Sequence, residues 1–283
     1  MTPDTLLVGC GRLGSDIGLR LAAQGHRVAA IRRHADIIPP PLQGISADLT
    51  AEVPCLPPLD LGLLVVALTA RPRSKEAYRA TYVDGMARAL DALDAAGQRP
   101  SRAVLVSSTA VFGDVPPDLL VDELVLADPA DGPGRMLLAA EELFTERIPH
   151  GTVLRFSGLY DGDSTRLSDR LTSGDVGDPH RWTNRIHRDD AAAAVVHLLT
   201  MHDQPGPLYV GTDDHPAQMG HLMAFLAQRL EVAATTPADP GLGTGKRLSN
   251  ALLRSTGWTP TFPTFREGYD ASPPHEEPGP DAS

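Results

Sequence analysis

The sequence predicts an α/β protein: a Rossmann-type, doubly wound parallel sheet with a small C-terminal lobe, and three observations carry that prediction. An apolar run, Thr5-Leu6-Leu7-Val8, breaks into Gly9-Cys10-Gly11-Arg12-Leu13-Gly14, the strand, glycine turn and helix start of a dinucleotide-binding unit. Leu13, Ile17 and Leu21 then recur at helical spacing, Gly25 stands where a C-cap glycine belongs, and 26–31 reads as a second strand. Further on, the continuous apolar run 61–67 has the pattern of a central parallel strand covered on both faces.

Within the first turn each glycine has its own reason. Gly9 permits the tight turn, Gly11 lets backbone approach a pyrophosphate, and Gly14 lets the helix pack closely on the strand, with Arg12 and Leu13 at a helix N-terminus aimed at the anion. Arg32 and Arg33 end the second strand, where an NAD-selective site keeps an acid for the ribose 2′-hydroxyl. Two guanidiniums suit a 2′-phosphate, which predicts NADP, with NAD as the alternative. The segment 44–49 reads as a short third strand ending in Asp48-Leu49, a pair that belongs beside an adenine ring.

Ligands of open α/β sheets bind outside the carboxyl ends of the strands. Ala67, Leu68 and Thr69 are therefore expected at the cofactor, as is Ser107 at the end of the 102–106 strand. A long helix is expected over 74–96, closed by Gly97. The row Ser107-Ser108-Thr109 reads as a site or as a turn. A loop over 128–134 precedes a helix over 135–147 and a strand over 151–156, after which a Gly/Asp-rich stretch to about residue 182 leaves the core. Arg185-Ile186-His187-Arg188-Asp189-Asp190 leads into a helix, its acidic pair favourable at the N-terminus. His187 faces substrate or fixes backbone. Short elements follow over 207–210, 216–230 and 248–255. The expected organisation is a dinucleotide-binding domain over 1–155, with 187–203 packing back onto it, a substrate-binding lobe over 156–270, and a disordered tail over 271–283 that is poor in apolar residues.

Composition excludes several classes. A net charge of −11 with no basic block leaves no footprint for nucleic acid. No apolar run reaches bilayer length, and the chain enters its first strand without a basic leader, so a cytoplasmic protein without a membrane partner is expected. The two cysteines, Cys10 in the glycine turn and Cys55 in a proline-rich loop, form no disulfide framework. The 10 histidines are scattered, so no metal site is expected. The stretch 241–246 fails as a phosphate loop, because Pro240 replaces its first glycine and Arg247 its Ser/Thr.

Taken together, Gly9-x-Gly11-x-x-Gly14, Ala47-Asp48-Leu49, Ser107-Ser108-Thr109-Ala110-Val111-Phe112-Gly113, Leu154-Arg155-Phe156-Ser157-Gly158-Leu159-Tyr160 and the segment from Arg185 to Asp190 resemble the extended short-chain dehydrogenase/reductases, the NAD-dependent epimerase/dehydratase family. The resemblance runs to about residue 270. It implies a Ser/Thr that positions a substrate oxygen, matched by Ser108 with Thr109 beside it, and a Tyr-x-x-x-Lys pair for the proton. That pair is missing: Pro133 stands at the Tyr position and Leu137 at the Lys position, and neither Lys75 nor Lys246 has a tyrosine four residues before it. Tyr82 stands where many relatives carry Asn. If the protein is an enzyme, Tyr160, opening the lobe, is the first candidate proton donor and Tyr82 the second. The implied function is NADP-dependent redox or epimerase chemistry on a small polar metabolite such as a sugar or nucleotide-sugar. The alternative is an NADP(H)-binding sensor without turnover. Oligomeric state stays open, a homodimer included.

Overall fold

The computed structural model describes residues 4–116, 118–162, 166–174, 177–232 and 243–271. The expected disordered tail, beyond Ala271, lies outside them, as do residues 241–242 of the glycine-rich loop. β1 (Asp4–Val8) is buried along its whole length and turns through Gly9, at φ +94°, into α1 (Arg12–Ala23). Gly25, at φ +90°, turns the chain into β2 (Val28–Arg32), followed by β3 (Gln43–Ser46) and β4 (Leu61–Val66). Next come α2 (Lys75–Tyr78), a π-helical stretch (Arg79–Gly85), α3 (Met86–Ala95) and β5 (Arg102–Ser108). Beyond these lie β6 (Leu120–Val121), α4 (Gly132–Arg147), β7 (Thr152–Phe156), β8 (Gly158–Tyr160) and α5 (Arg166–Thr172). The chain continues with β9 (Trp182–Thr183), β10 (Arg185–His187), α6 (Arg188–Thr200), β11 (Leu208–Gly211), β12 (Ala217–Gln218) and α7 (Met219–Arg229). It closes with β13 (Arg247–Leu248), α8 (Ala251–Ser255) and α9 (Phe265–Asp270).

Seven parallel strands form the central sheet in the order β11-β7-β5-β4-β1-β2-β3. The chain runs outward from β1 to β3 and then returns to β4 on the other side of β1, which makes the β1/β4 boundary the switch point where such sheets hold ligands. Because side chains alternate across a strand, Leu7, Val65 and Leu154 fall in a cluster with Ile17 of α1 and Val195 of α6, while Leu6 and Leu64 join Met86 of α3 and Phe144 of α4. Burial of each large apolar side chain contributes about 1.5–3 kcal/mol. A further cluster gathers Tyr160, Leu167, Leu222, Phe265 and Tyr269 from β8, α5, α7 and α9.

Three expectations change. The helix over 74–96 is interrupted by the π-helical stretch, the third strand stops at Ser46, and α5 and α9 stand in segments that carried no expected helix. No helix among the described residues is long and apolar enough to cross a membrane.

Candidate functional site

At the switch point the carboxyl ends of β1, β4 and β5 open into a cavity of about 260 Å³. Its floor is the glycine turn. A Cβ on Gly9 would come within 2.6 Å of the Ala67 carbonyl oxygen, and one on Gly14 would collide with the Gly9 carbonyl oxygen, so both glycines hold the α1 N-terminus against the strands. Gly11 differs: nothing lies within 4 Å of the place its Cβ would take. Gly11 is also the N-cap of α1 and supplies no side-chain cap, so the first-turn N–H groups, which have no acceptor inside a helix, are left for something else.

Gly11, Arg12, Leu13 and Gly14 line the cavity, as do Ala67, Leu68 and Thr69 beyond β4. Ser107 and Ser108 line it from β5. The two serines have different tasks. Ser107 Oγ donates to Glu141 Oε1 at 2.5 Å, and Glu141 is clasped by the Arg155 guanidinium at 2.7 Å, in a buried triad that ties α4 to β5 and β7. Ser108 Oγ accepts from the Ala110 N–H at 3.2 Å, which shapes the turn. Lys246 reinforces that turn by donating to the Phe112 carbonyl oxygen at 2.5 Å, and burial holds its ammonium pKa below the ordinary lysine value.

Other expected residues lie elsewhere. Arg32, Arg33, Asp48 and Leu49 are not on the cavity wall but follow the same sheet edge to the ends of β2 and β3. Asp48 accepts from the N–H and hydroxyl of Thr50, which hold its carboxyl below the usual range. Thr109 is also off the wall. Tyr160 departs furthest from expectation: it is 3 % exposed, its ring stacks on Tyr269 at 4.8 Å, and its hydroxyl faces the Thr264 carbonyl at 3.5 Å. Burial pushes its phenol well above the ordinary value. The reason is strand alternation, since Leu159 takes the cavity side of β8 and Tyr160 the opposite one. His187 is a backbone-fixing residue, its Nδ1 accepting from the Asp189 N–H at 3.3 Å to cap α6, and burial lowers its pKa.

Arg73 and Tyr78, which belong to no motif, line the cavity with Tyr82. On α4, Leu137 occupies the wall, while Asp131 caps the helix through the Gly134 N–H at 2.6 Å. Among the described lining residues the charged ones are Arg12 and Arg73, both cationic, in a chain whose net charge is −11. The site is therefore suited to an anion at the α1 end and to a polar group beside Ser108. No group of three His, Cys, Asp or Glu able to hold a metal is found among the described residues.

No protein-family profile matches the chain, and no curated protein does. Solved structures do. A candidate NAD-dependent epimerase/dehydratase from Methylobacillus flagellatus is 33 % identical with a TM-score of 0.79, over 96 % of this chain and 97 % of that one. UDP-glucose 4-epimerase from Thermus thermophilus, in complex with NAD, is 18 % identical at 0.75, over 94 % and 96 %. UDP-glucuronic acid 4-epimerase from Bacillus cereus, in complex with NAD, is 16 % identical at 0.76, over 95 % of each chain. At such identities the last two share the fold.

Proposed function

The chain belongs to the NAD-dependent epimerase/dehydratase family of the extended short-chain dehydrogenase/reductases, and on that premise we propose that it binds NADP across the glycine turn and carries out redox or epimerase chemistry on a small polar substrate seated against Ser108. The observation that carries this reading is one cavity shared by the first turn of α1 and Ser108. The open space over Gly11 and the uncapped helix start fit a pyrophosphate. Bound there, the dinucleotide supplies a hydride donor or acceptor.

The chain's own residues divide the remaining work. First-turn N–H groups of α1 hold the anion, Arg33 with Arg32 favours a 2′-phosphate, and Asp48-Leu49 lies along the same edge for the adenine. Ser108 positions the substrate oxygen, while Leu137 and Phe156 keep water from the reacting face. The segment 156–270 serves as the substrate lobe, bringing Ser157 and Leu159 to the cavity. A sugar or nucleotide-sugar is the substrate class this reading favours.

One observation favours a second reading, an NADP(H) sensor without turnover: Leu137 presents an apolar wall at the position where the family's lysine would stand. Calorimetry with NADP and NAD, followed by isotopic hydride exchange with UDP-glucose and UDP-glucuronic acid, separates the two. The enzyme reading expects NADP binding and exchange with one of these substrates, slowed about a hundredfold in Ser108→Ala. Binding without exchange returns the protein to the sensor class, and a protein that binds neither dinucleotide overturns both.

A further inference from the structure

Tyr82 lies in the middle of the π-helical stretch Arg79–Gly85, between α2 and α3. Each residue of an α-helix turns the chain by about 100°. A π-helical run therefore redirects the side chains it carries, and such stretches occur often at functional sites. Here the stretch brings Tyr82 to the cavity that Ser108 also lines. Gly85 closes it against the Leu49 carbonyl, where a Cβ would come within 3.3 Å.

The surroundings of the Tyr82 ring are defined. Tyr78 packs on it at 5.1 Å between ring centroids, and the Ala70 N–H donates to its hydroxyl at 3.4 Å. Arg73 and Leu137 of α4 line the same cavity. Burial raises the phenol's pKa, while the Ala70 N–H and the Arg73 guanidinium pull it down and Tyr78 pushes it up. Burial is the largest of these, so the resting group is the neutral phenol, and the Ala70 N–H and Arg73 ease its ionisation.

We propose that Tyr82 is the residue that exchanges the proton of the substrate oxygen held by Ser108, with Arg73 as the positioning cation that stabilises its phenolate. The inference rests on the enzymatic reading above. In the oxidative direction the phenolate form of Tyr82 takes the proton as the substrate O–H bond breaks. The carbon–oxygen bond becomes a carbonyl as the C–H pair leaves as hydride to the oxidised nicotinamide, and Tyr82 ends as a neutral phenol. Reduction reverses each transfer. Tyr82 of the π-helical stretch and Arg73 of the loop before α2 thus stand in for the Tyr-Lys pair that α4 lacks.

Two measurements test it on the NADP-loaded full-length protein. Carbon-13 labelling of tyrosine Cζ, assigned with Tyr82→Phe, follows the ionisation of Tyr82 without any turnover. Arg73→Met is expected to raise its midpoint by about one pH unit, and Arg73→Lys to restore most of the shift. An unchanged midpoint in Arg73→Met overturns the role of Arg73. Hydride exchange with UDP-glucose and UDP-glucuronic acid is expected to fall about a hundredfold in Tyr82→Phe at unchanged NADP affinity. Wild-type exchange that persists in Tyr82→Phe overturns this inference alone, whereas a wild type that binds NADP and exchanges no hydride overturns it together with the enzymatic reading.

Discussion

Arg32, the last residue of β2, donates from Nη1 to the carbonyl oxygen of Cys10 at 2.6 Å, so one guanidinium is clasped to the glycine turn while Arg33 stays exposed beside it. The two arginines should therefore behave differently. Arg33→Ala is expected to weaken NADP binding about tenfold, the equivalent of roughly 1.4 kcal/mol, and to leave NAD unchanged. Arg32→Ala loosens the turn as well and should weaken both dinucleotides. Calorimetry decides it, and equal losses of NADP and NAD affinity in Arg33→Ala would remove the 2′-phosphate assignment.

The glycines offer a sharper contrast. Gly11→Val places its branched side chain in open space, so the melting temperature should hold while dinucleotide binding is lost. Gly14→Ala drives a Cβ into the Gly9 carbonyl oxygen and should destabilise the fold by a few kcal/mol. Thermal unfolding alongside a binding titration separates the two outcomes.

Breaking the triad beneath the cavity should be expensive. Glu141 and Arg155 side chains are each 7 % exposed, and Glu141→Ala leaves the guanidinium buried without its carboxylate. A loss of about 3–5 kcal/mol in urea unfolding is expected. An apolar replacement of both partners, Glu141→Leu with Arg155→Met, should recover much of it.

Asp213 controls a pH dependence. It is 2 % exposed, accepts from the His215 N–H at 3.2 Å, and burial pushes its carboxyl up from 3.8 to about 8. The folded state therefore keeps a proton that the unfolded chain has released. Stability from this group is full below about pH 4 and is lost as pH rises toward 8, with a slope of at most about 1.4 kcal/mol per pH unit. Asp213→Asn should flatten that slope in denaturant unfolding between the two limits, and an undiminished slope would exclude Asp213 as its source.

Tyr160→Phe removes one long contact to the Thr264 carbonyl and nothing from the cavity. Hydride exchange should match the wild type, with stability within about 1 kcal/mol. A hundredfold loss of exchange at intact stability would return Tyr160 to the site.

Much of this was legible locally. The Gly9-Gly11-Gly14 spacing and the uninterrupted run of β4 are local signals, and both recur as structure. Leu159 and Tyr160 were harder to tell apart, because the face each takes depends on β8 pairing with β10, a partner more than 20 residues away in sequence. The clasp of Arg32 on Cys10 is a tertiary contact with no local signature. The π-helical stretch leaves no mark in apolar periodicity, which hid the placement of Tyr82 and Arg73 in one cavity. For α9 a signal existed: Thr264 and Glu267 form a capping box, a spacing readable in the sequence.

The order of the central sheet also sets a timetable for the nascent chain. After β3, each new strand docks on the edge left by its predecessor, β4 on β1, β5 on β4, β7 on β5 and β11 on β7, so the sheet lengthens on one side as synthesis proceeds. β7, buried along its whole length in the finished protein, stays a bare apolar edge until Leu208–Gly211 leaves the ribosome. At roughly 5–20 residues per second that interval lasts several seconds. During it an unpaired strand of this kind is a template for another chain, so nascent copies on one message are most exposed to mispairing between the emergence of Phe156 and that of Leu208.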